Sequence, residues 1–260
     1  MESSRPGFTD SMKRAELLKS RPPSRYHVTM GLLWTLLVID PLIILSTIFC
    51  GTVAALTSPK TQTKMARLWG RSILIFARVK VEVQGLEHIQ PGQGYVFASN
   101  HLSYMDTPTI LSSIPVDFRF LAKEQLFKIP FMGDHLKRAG HISVPLDDPR
   151  ASIKTLAMAA KTIQSLGISL LVFPEGGRSN TGDLQEFKDG AAYLAIKAQA
   201  PIVPLAIIGT RAVLPLHGKK ITSGNVKLII GEPIPTAGLT IRNRTELAST
   251  LRDRIVKMLG

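Results

Sequence analysis

From Met30 to Leu56 the chain reads MGLLWTLLVIDPLIILSTIFCGTVAAL, an apolar run whose one charged residue is Asp40. Such a run is long enough to cross a bilayer, which takes about 20 residues. Asp40-Pro41 falls in its middle. Proline removes a backbone donor and clashes with the preceding turn, and a carboxylate at mid-bilayer costs at least ~2.5 kcal/mol. A hairpin of two short helices that enters one leaflet and returns avoids much of this and is expected ahead of a single span. Basic residues stand on both sides, Lys13, Arg14, Lys19, Arg21 and Arg25 before it and Lys60, Lys64, Arg67 and Arg71 after it. The positive-inside rule therefore places both ends in the cytoplasm. A cleaved signal peptide fits less well, because the long leading arm carries Glu2, Asp10 and Glu16. The remaining reading is a buried helix of a soluble protein.

From Val79 the pattern changes. VKVEVQG alternates with period two, and YVFASN, DFRFLA, HISVPL, SLLVFP, PIVPLAI and NVKLIIG are short apolar or alternating runs bounded by Gly, Pro and Asn. These are strand signals. Between them lie helical patterns. RASIKTLAMAAKTIQSLG places Ile153, Leu156, Ala160 and Ile163 on one face and stops at Gly167. GAAYLAIKAQ and TELASTLRDRIVKML are two more. The prediction is an α/β fold with a central, mostly buried sheet flanked by helices, preceded by a membrane-embedded helical segment. The expected organisation is a mobile basic arm over 1–29, the apolar hairpin or span over 30–56, and one domain over 57–260. No internal repeat or low-complexity tract interrupts it.

Charge narrows the function. The 260 residues carry 32 Lys and Arg against 19 Asp and Glu, a formal charge of +13. That attracts anions, whether nucleic acid, anionic lipid or phosphorylated substrates. Aromatics are only 6%, and no basic helix interleaves with them, which weakens the nucleic-acid reading because stacking platforms need aromatic or arginine planes. Cys50 is the only cysteine, which excludes an intrachain disulfide and any multi-cysteine metal site.

Four stretches carry candidate chemistry. In NHLSYMD, His101 and Asp106 are five positions apart. On one helix they would point about 140° apart, at roughly 100° per residue. They meet only if His101 ends the strand YVFASN and a tight turn starts a helix near Ser103. Asp106 would then fix the imidazole tautomer and leave the other ring nitrogen as a general base. Ser103-x-x-Asp106 equally fits a helix-start box, and the residues alone leave both readings open. SLLVFPEGGRS ends a strand in Pro174, Glu175, two glycines and Arg178. Paired glycines expose backbone N–H groups, and the arginine offers a fork for phosphate. The alternative is a turn with a solvated Glu–Arg pair. LAKEQLFKIPFMG brings Lys123 and Lys128 near a strand end, and APIVPLAIIG has two prolines in one buried run. HExxH, a P-loop, GxSxG and CxxC are all missing, which removes support for metal hydrolysis, nucleotide binding and a serine-hydrolase elbow.

Taken in order, NHLSYMD, AKEQLFKIPFMG, FPEGGRSNTGDLQEFKDGAA and APIVPLAIIG resemble the four blocks of the glycerolipid acyltransferases, specifically the 1-acylglycerol-3-phosphate acyltransferases. The resemblance runs from about Gly85 to Pro235. It implies acyl transfer from acyl-CoA or acyl-carrier protein to the free hydroxyl of 1-acylglycerol-3-phosphate, giving phosphatidic acid, with no cofactor or metal. His101 matches the family's general base and Asp106 its orienting carboxylate. Phe173, Pro174, Glu175, Gly176 and Arg178 match the block tied to the acceptor's phosphate, and Lys123 matches a basic residue near it. Pro204 matches the fourth block, linked to the acyl-donor side. The implied partners are the lipid bilayer, a lysophospholipid and the acyl donor, with no nucleic acid. The implied location is the inner or cytoplasmic membrane, with the catalytic domain facing the cytoplasm. Three positions depart from the family. Gly177 stands where threonine is usual, Gln125-Leu126 where Glu-Leu is usual, and Pro145-Leu146 where an Asp-Arg pair is frequent. The lost arginine is a phosphate ligand in relatives, with Arg119 or Arg150 as candidate replacements. Acylation of another lyso-lipid, or a non-catalytic lipid-binding role, is the alternative.

Overall fold

The computed structural model describes residues 31–129 and 132–260; the basic arm expected over 1–29 lies outside them. Helix α1, Gly31–Ala55, runs straight through Asp40-Pro41. The hairpin expected at that dipeptide does not form. A π-helical turn over Thr35–Ile39 precedes it, with the Asp40 N–H donating to the Thr35 carbonyl five residues back. This wider turn relieves the contact between a proline ring and the carbonyls before it. The chain reverses instead at 56–58 and returns as helix α2, Pro59–Phe76. The two helices pack along each other, with Trp69 Nε1 donating to Thr47 Oγ1 at 2.8 Å and Gln62 Nε2 to the Ala54 carbonyl at 3.3 Å.

Among the described residues, α1 is the one helix long and apolar enough to cross a membrane, and only 11% of its apolar window is buried. Leu37, Ile44, Leu45, Ile48 and Phe49 are exposed. Both ends of α1 are nevertheless tied to the domain that follows. Near its start, Thr35 Oγ1 accepts from the Ile221 N–H at 3.2 Å. At its end, the Ala55 carbonyl accepts from Arg138 Nη1 at 3.2 Å.

All seven apolar runs form strands of one sheet: β1 Val79–Gln84, β2 Val96–Ser99, β3 Phe118–Lys123, β4 Ile142–Val144, β5 Ser169–Val172, β6 Ile202–Ile208 and β7 Gly224–Ile230. Their order is β1-β7-β6-β2-β5-β3-β4. Every pairing is parallel except β6 with β7. Side chains alternate between faces along each strand, and the core divides accordingly. Phe97, Leu171, Val203 and Leu205 join α2 and helix α3, Asp106–Ser113, on one face. Val96, Ala98, Leu170 and Ile202 join the other face. That face is covered by the three helices read from the sequence, Pro149–Leu166, Gly190–Ala198 and Arg244–Leu259. The first ends as expected at Gly167, which takes a left-handed φ of 63°.

Pro204 pairs with Ala98 in the middle of this sheet. Its carbonyl accepts from Gly231 N–H at 2.9 Å, so its missing donor also points toward β7. The β6–β7 ladder starts one residue later, at Leu205. The proline is thus accommodated in a buried strand and does not line the large cavity at the carboxyl edge of the sheet.

The α1–α2 pair docks through Gly70, where an added Cβ would stand 2.9 Å from the Pro108 carbonyl oxygen and 3.2 Å from Leu111. Gly70→Leu should therefore pry α2 off α3. The expected loss is about 1–3 kcal/mol, as for other overpacked contacts, read as a lower melting temperature in detergent.

Candidate active site

The carboxyl ends of β2, β5 and β3 meet on one edge of the sheet, where open α/β sheets bind ligands. Beyond β2, Asn100 prolongs the ladder with its side chain. Its Nδ2 donates to the Ile207 carbonyl at 2.9 Å, and its Oδ1 accepts from the Ile207 N–H at 2.7 Å. This pins the chain so that His101 emerges at the sheet edge and the turn begins at once.

The turn closes on one oxygen. Asp106 Oδ2 accepts from His101 Nδ1 at 2.8 Å, from Leu102 N–H at 2.7 Å and from Ser103 N–H at 2.9 Å. The carboxylate is fully buried at the first position of α3. The two readings of this motif are therefore one object, since the carboxylate organises the helix start and orients the imidazole with the same oxygen. An Asp acceptor fixes the proton on Nδ1, leaving Nε2 as the lone-pair nitrogen. Phe173 stacks on the imidazole at 3.8 Å and 15°, which fixes its plane from the end of β5.

His135 and His141 also line the cavity. Burial is the main cause that pushes the His141 imidazole down to about 3, with Arg119 adding to it. Its Nδ1 accepts the Phe120 N–H at 3.0 Å. Burial lowers His135 as well. His101 alone of the three pairs with a carboxylate among the described residues.

Glu175 was expected among the substrate contacts, but both its oxygens serve the protein. Oε1 accepts from His101 N–H at 2.6 Å, and Oε2 accepts from Gln185 N–H at 2.9 Å. The residue is buried and does not line the cavity. Burial raises its carboxyl above the usual range, opposed by the backbone donors of Gln185 and His101. Glu175 thus braces the His101 turn against the loop after β5, and no Glu175–Arg178 pair forms.

The glycine pair is flanked by cations. Gly176 has φ +75°, and a Cβ there would meet Lys188 Nζ at 3.0 Å. A Cβ on Gly177 would meet Lys123 Nζ at 3.7 Å. Arg178 lies next in the chain, its Cζ 3.6 Å from the centre of the Tyr104 ring. Neither Gly177 nor Arg178 donates its N–H to a protein acceptor among the described residues. Unpaired N–H groups ringed by cations make an anion site.

Lys188 and Tyr104 were not singled out from the sequence. Lys188 sits in QEFKDG with no spacing signal, and it reaches the glycine pair because its N–H donates to the Pro174 carbonyl at 2.9 Å, closing the loop. The candidate replacements for the lost arginine lie elsewhere. Arg119 donates to its own strand's Phe118 carbonyl, and Arg150 begins a helix capped by Asp148. Neither lines the cavity. Gln125 donates to Asp147 at 3.1 Å.

These groups open on a cavity of about 1980 Å³ that extends from Thr47 and Gly51 of α1 past Trp69 of α2 to His101 and Arg178. Small-molecule pockets commonly hold roughly 300–1,000 Å³. This one has room for a lipid chain beside a charged head.

A family model described as Acyltransferase matches residues 80–208. The 1-acyl-sn-glycerol-3-phosphate acyltransferase alpha of Homo sapiens is 32% identical over 193 residues, covering 74% of this chain and 68% of that protein. A chloroplastic 1-acyl-sn-glycerol-3-phosphate acyltransferase of Brassica napus is 35% identical over 172 residues, 65% of this chain. The chain spans about half the length of the chloroplastic relatives, 49% for Brassica napus and 48% for Arabidopsis thaliana. The crystal structure of the 1-acyl-sn-glycerophosphate (LPA) acyltransferase PlsC from Thermotoga maritima is similar with a TM-score of 0.71 at 25% identity, covering 87% of this chain and 92% of that one.

Proposed function

The chain belongs to the acyltransferase family of the 1-acyl-sn-glycerol-3-phosphate acyltransferases, and from that premise we propose that it transfers a fatty acyl group from a thioester to the free hydroxyl of 1-acylglycerol-3-phosphate. The observation that carries this is the His101–Asp106 pair at 2.8 Å, on a lipid-sized cavity whose wall holds Lys123, Arg178 and Lys188.

His101 Nε2 takes the acceptor's hydroxyl proton as the oxygen attacks the thioester carbonyl carbon. The imidazolium that forms is stabilised by Asp106 behind it. The tetrahedral intermediate collapses, the C–S bond breaks, and Nε2–H returns its proton to the departing thiolate. The ester is phosphatidic acid. His101 acts as base and then as acid, so transfer is direct and requires no acyl-enzyme, prosthetic group or metal. Lys123, Arg178 and the Gly177 and Arg178 N–H groups hold the acceptor's phosphate, and Lys188 supplies the positive charge lost with the family's arginine. The donor is acyl-CoA or acyl-carrier protein.

The protein works attached to the cytoplasmic face of a membrane. Both ends of α1 bond to the same domain, at Ile221 and at Arg138, so the helix lies along that domain with its exposed apolar face toward lipid. A helix crossing the bilayer would carry its ends to opposite sides. Cysteines at Arg25 and Lys60, in a Cys50→Ser background, are expected to be shielded from an impermeant thiol reagent in intact cells and labelled together after lysis. Labelling of one alone before lysis would establish a span.

The activity is tested by thiol release from palmitoyl-CoA with a panel of lysophospholipids. Release that depends on 1-acylglycerol-3-phosphate is expected. Release with another lyso-lipid alone would reassign the acceptor, and release with none would leave a lipid-binding relative.

A further inference from the structure

We infer that Tyr104 is a positioning residue for the acceptor's phosphate, holding the Arg178 guanidinium by stacking and thereby fixing it relative to the base. Arg178 Cζ stands 3.6 Å from the Tyr104 ring centre, well inside the range of cation–π attraction of about 6 Å. Arg178 Nη1 is buried and has no hydrogen-bond partner among the described residues. No carboxylate pairs with this arginine among them either, although other arginines do pair, Arg67 with Asp117 and Arg244 with Asp189.

The choice of an aromatic face over a carboxylate has a chemical consequence. A carboxylate would hold the guanidinium by consuming its N–H donors and neutralising its charge. A ring holds it through its flat face and leaves the edge donors and the charge for a ligand. The ligand class that fits is a phosphomonoester, an anion able to take a bidentate fork.

Tyr104 also lies inside the turn from His101 to Asp106, whose Leu102 and Ser103 N–H groups are locked on Asp106 Oδ2. The base and the ring that holds the cation are therefore carried by one rigid loop. Their separation sets the distance between hydroxyl and phosphate that an acceptor must present. Tyr104 itself is 58% exposed, so packing alone gives no reason for a large aromatic here, and its removal leaves the core untouched.

This inference rests on the proposed role of Arg178, and the test separates the two. Steady-state kinetics with palmitoyl-CoA and 1-acylglycerol-3-phosphate are compared for Tyr104→Ala, Tyr104→Phe, Arg178→Ala and the Tyr104→Ala/Arg178→Ala double variant. Tyr104→Ala is expected to raise the acceptor KM by about 3- to 30-fold, the range of a partly desolvated cation–π contact, with a much smaller change in donor KM. Tyr104→Phe keeps the ring and should restore the acceptor KM. On the Arg178→Ala background, Tyr104→Ala should add nothing, because the two act as one unit. An unchanged acceptor KM in Tyr104→Ala, a phenylalanine variant as poor as the alanine one, or full additivity in the double variant would overturn the inference and leave the phosphate site standing. An unchanged acceptor KM in Arg178→Ala would overturn both.

Discussion

His101→Ala is expected to lower turnover by about 10²–10⁴-fold, the usual worth of a positioned general base, while the protein stays folded. The turn does not depend on the imidazole. The backbone N–H of residue 101 still meets Glu175, its carbonyl still accepts from Ser179 N–H at 3.0 Å, and Asp106 keeps the Leu102 and Ser103 donors. Asp106→Asn should fall nearly as far for a different reason. An amide oxygen can still accept from the turn, but it carries no charge to stabilise the imidazolium. Both variants are read by thiol release beside a melting curve. Turnover near wild type in His101→Ala would end the catalytic assignment, and His141, held neutral at about 3 by burial, offers no ready substitute base.

The second large effect concerns the cations. Arg178→Ala and Lys123→Ala should each raise the acceptor KM far more than the donor KM, since a lost charge-assisted hydrogen bond is worth about 1.5–3 kcal/mol. Lys188→Ala should behave in the same way if Lys188 stands in for the family's arginine. Arg119→Ala should leave the acceptor KM alone, because that guanidinium donates to the Phe118 carbonyl away from the cavity. Equal effects on both substrates would point to a general loosening of the loop. The natural control is Gly177→Thr, which restores the usual family residue beside Lys123 Nζ, 3.7 Å from where its Cβ would stand.

What could be read from the sequence was what neighbouring residues decide among themselves. The seven apolar runs became seven strands, because alternation and bounding Gly or Pro are local signals. Val96 and Ala98 face one side of the sheet and Phe97 the other, as the pleat requires. The motif pair His101 and Asp106 could be located but not interpreted, because a spacing of five closes only through a turn whose shape depends on Asn100 bonding to Ile207 in another strand.

The rest awaited the order of the strands. β2 lies between β6 and β5, and only that adjacency brings His101 beside Phe173, Glu175 and Arg178. Glu175 resembled a substrate ligand in sequence because nothing local reveals that the N–H groups of His101 and Gln185 will claim its two oxygens. Lys188 carried no signal, since a loop closure at Pro174 delivers it. The misplaced hairpin has the same cause. Asp40-Pro41 is a strong local breaker, but a π turn absorbs the proline, and the path of α1 is set by bonds at its two ends to Ile221 and Arg138, far away in sequence. Local chemistry determined which elements exist; contacts between distant elements determined which side chains face the substrate, because a side chain's partner is chosen by whatever strand or loop the completed sheet places next to it.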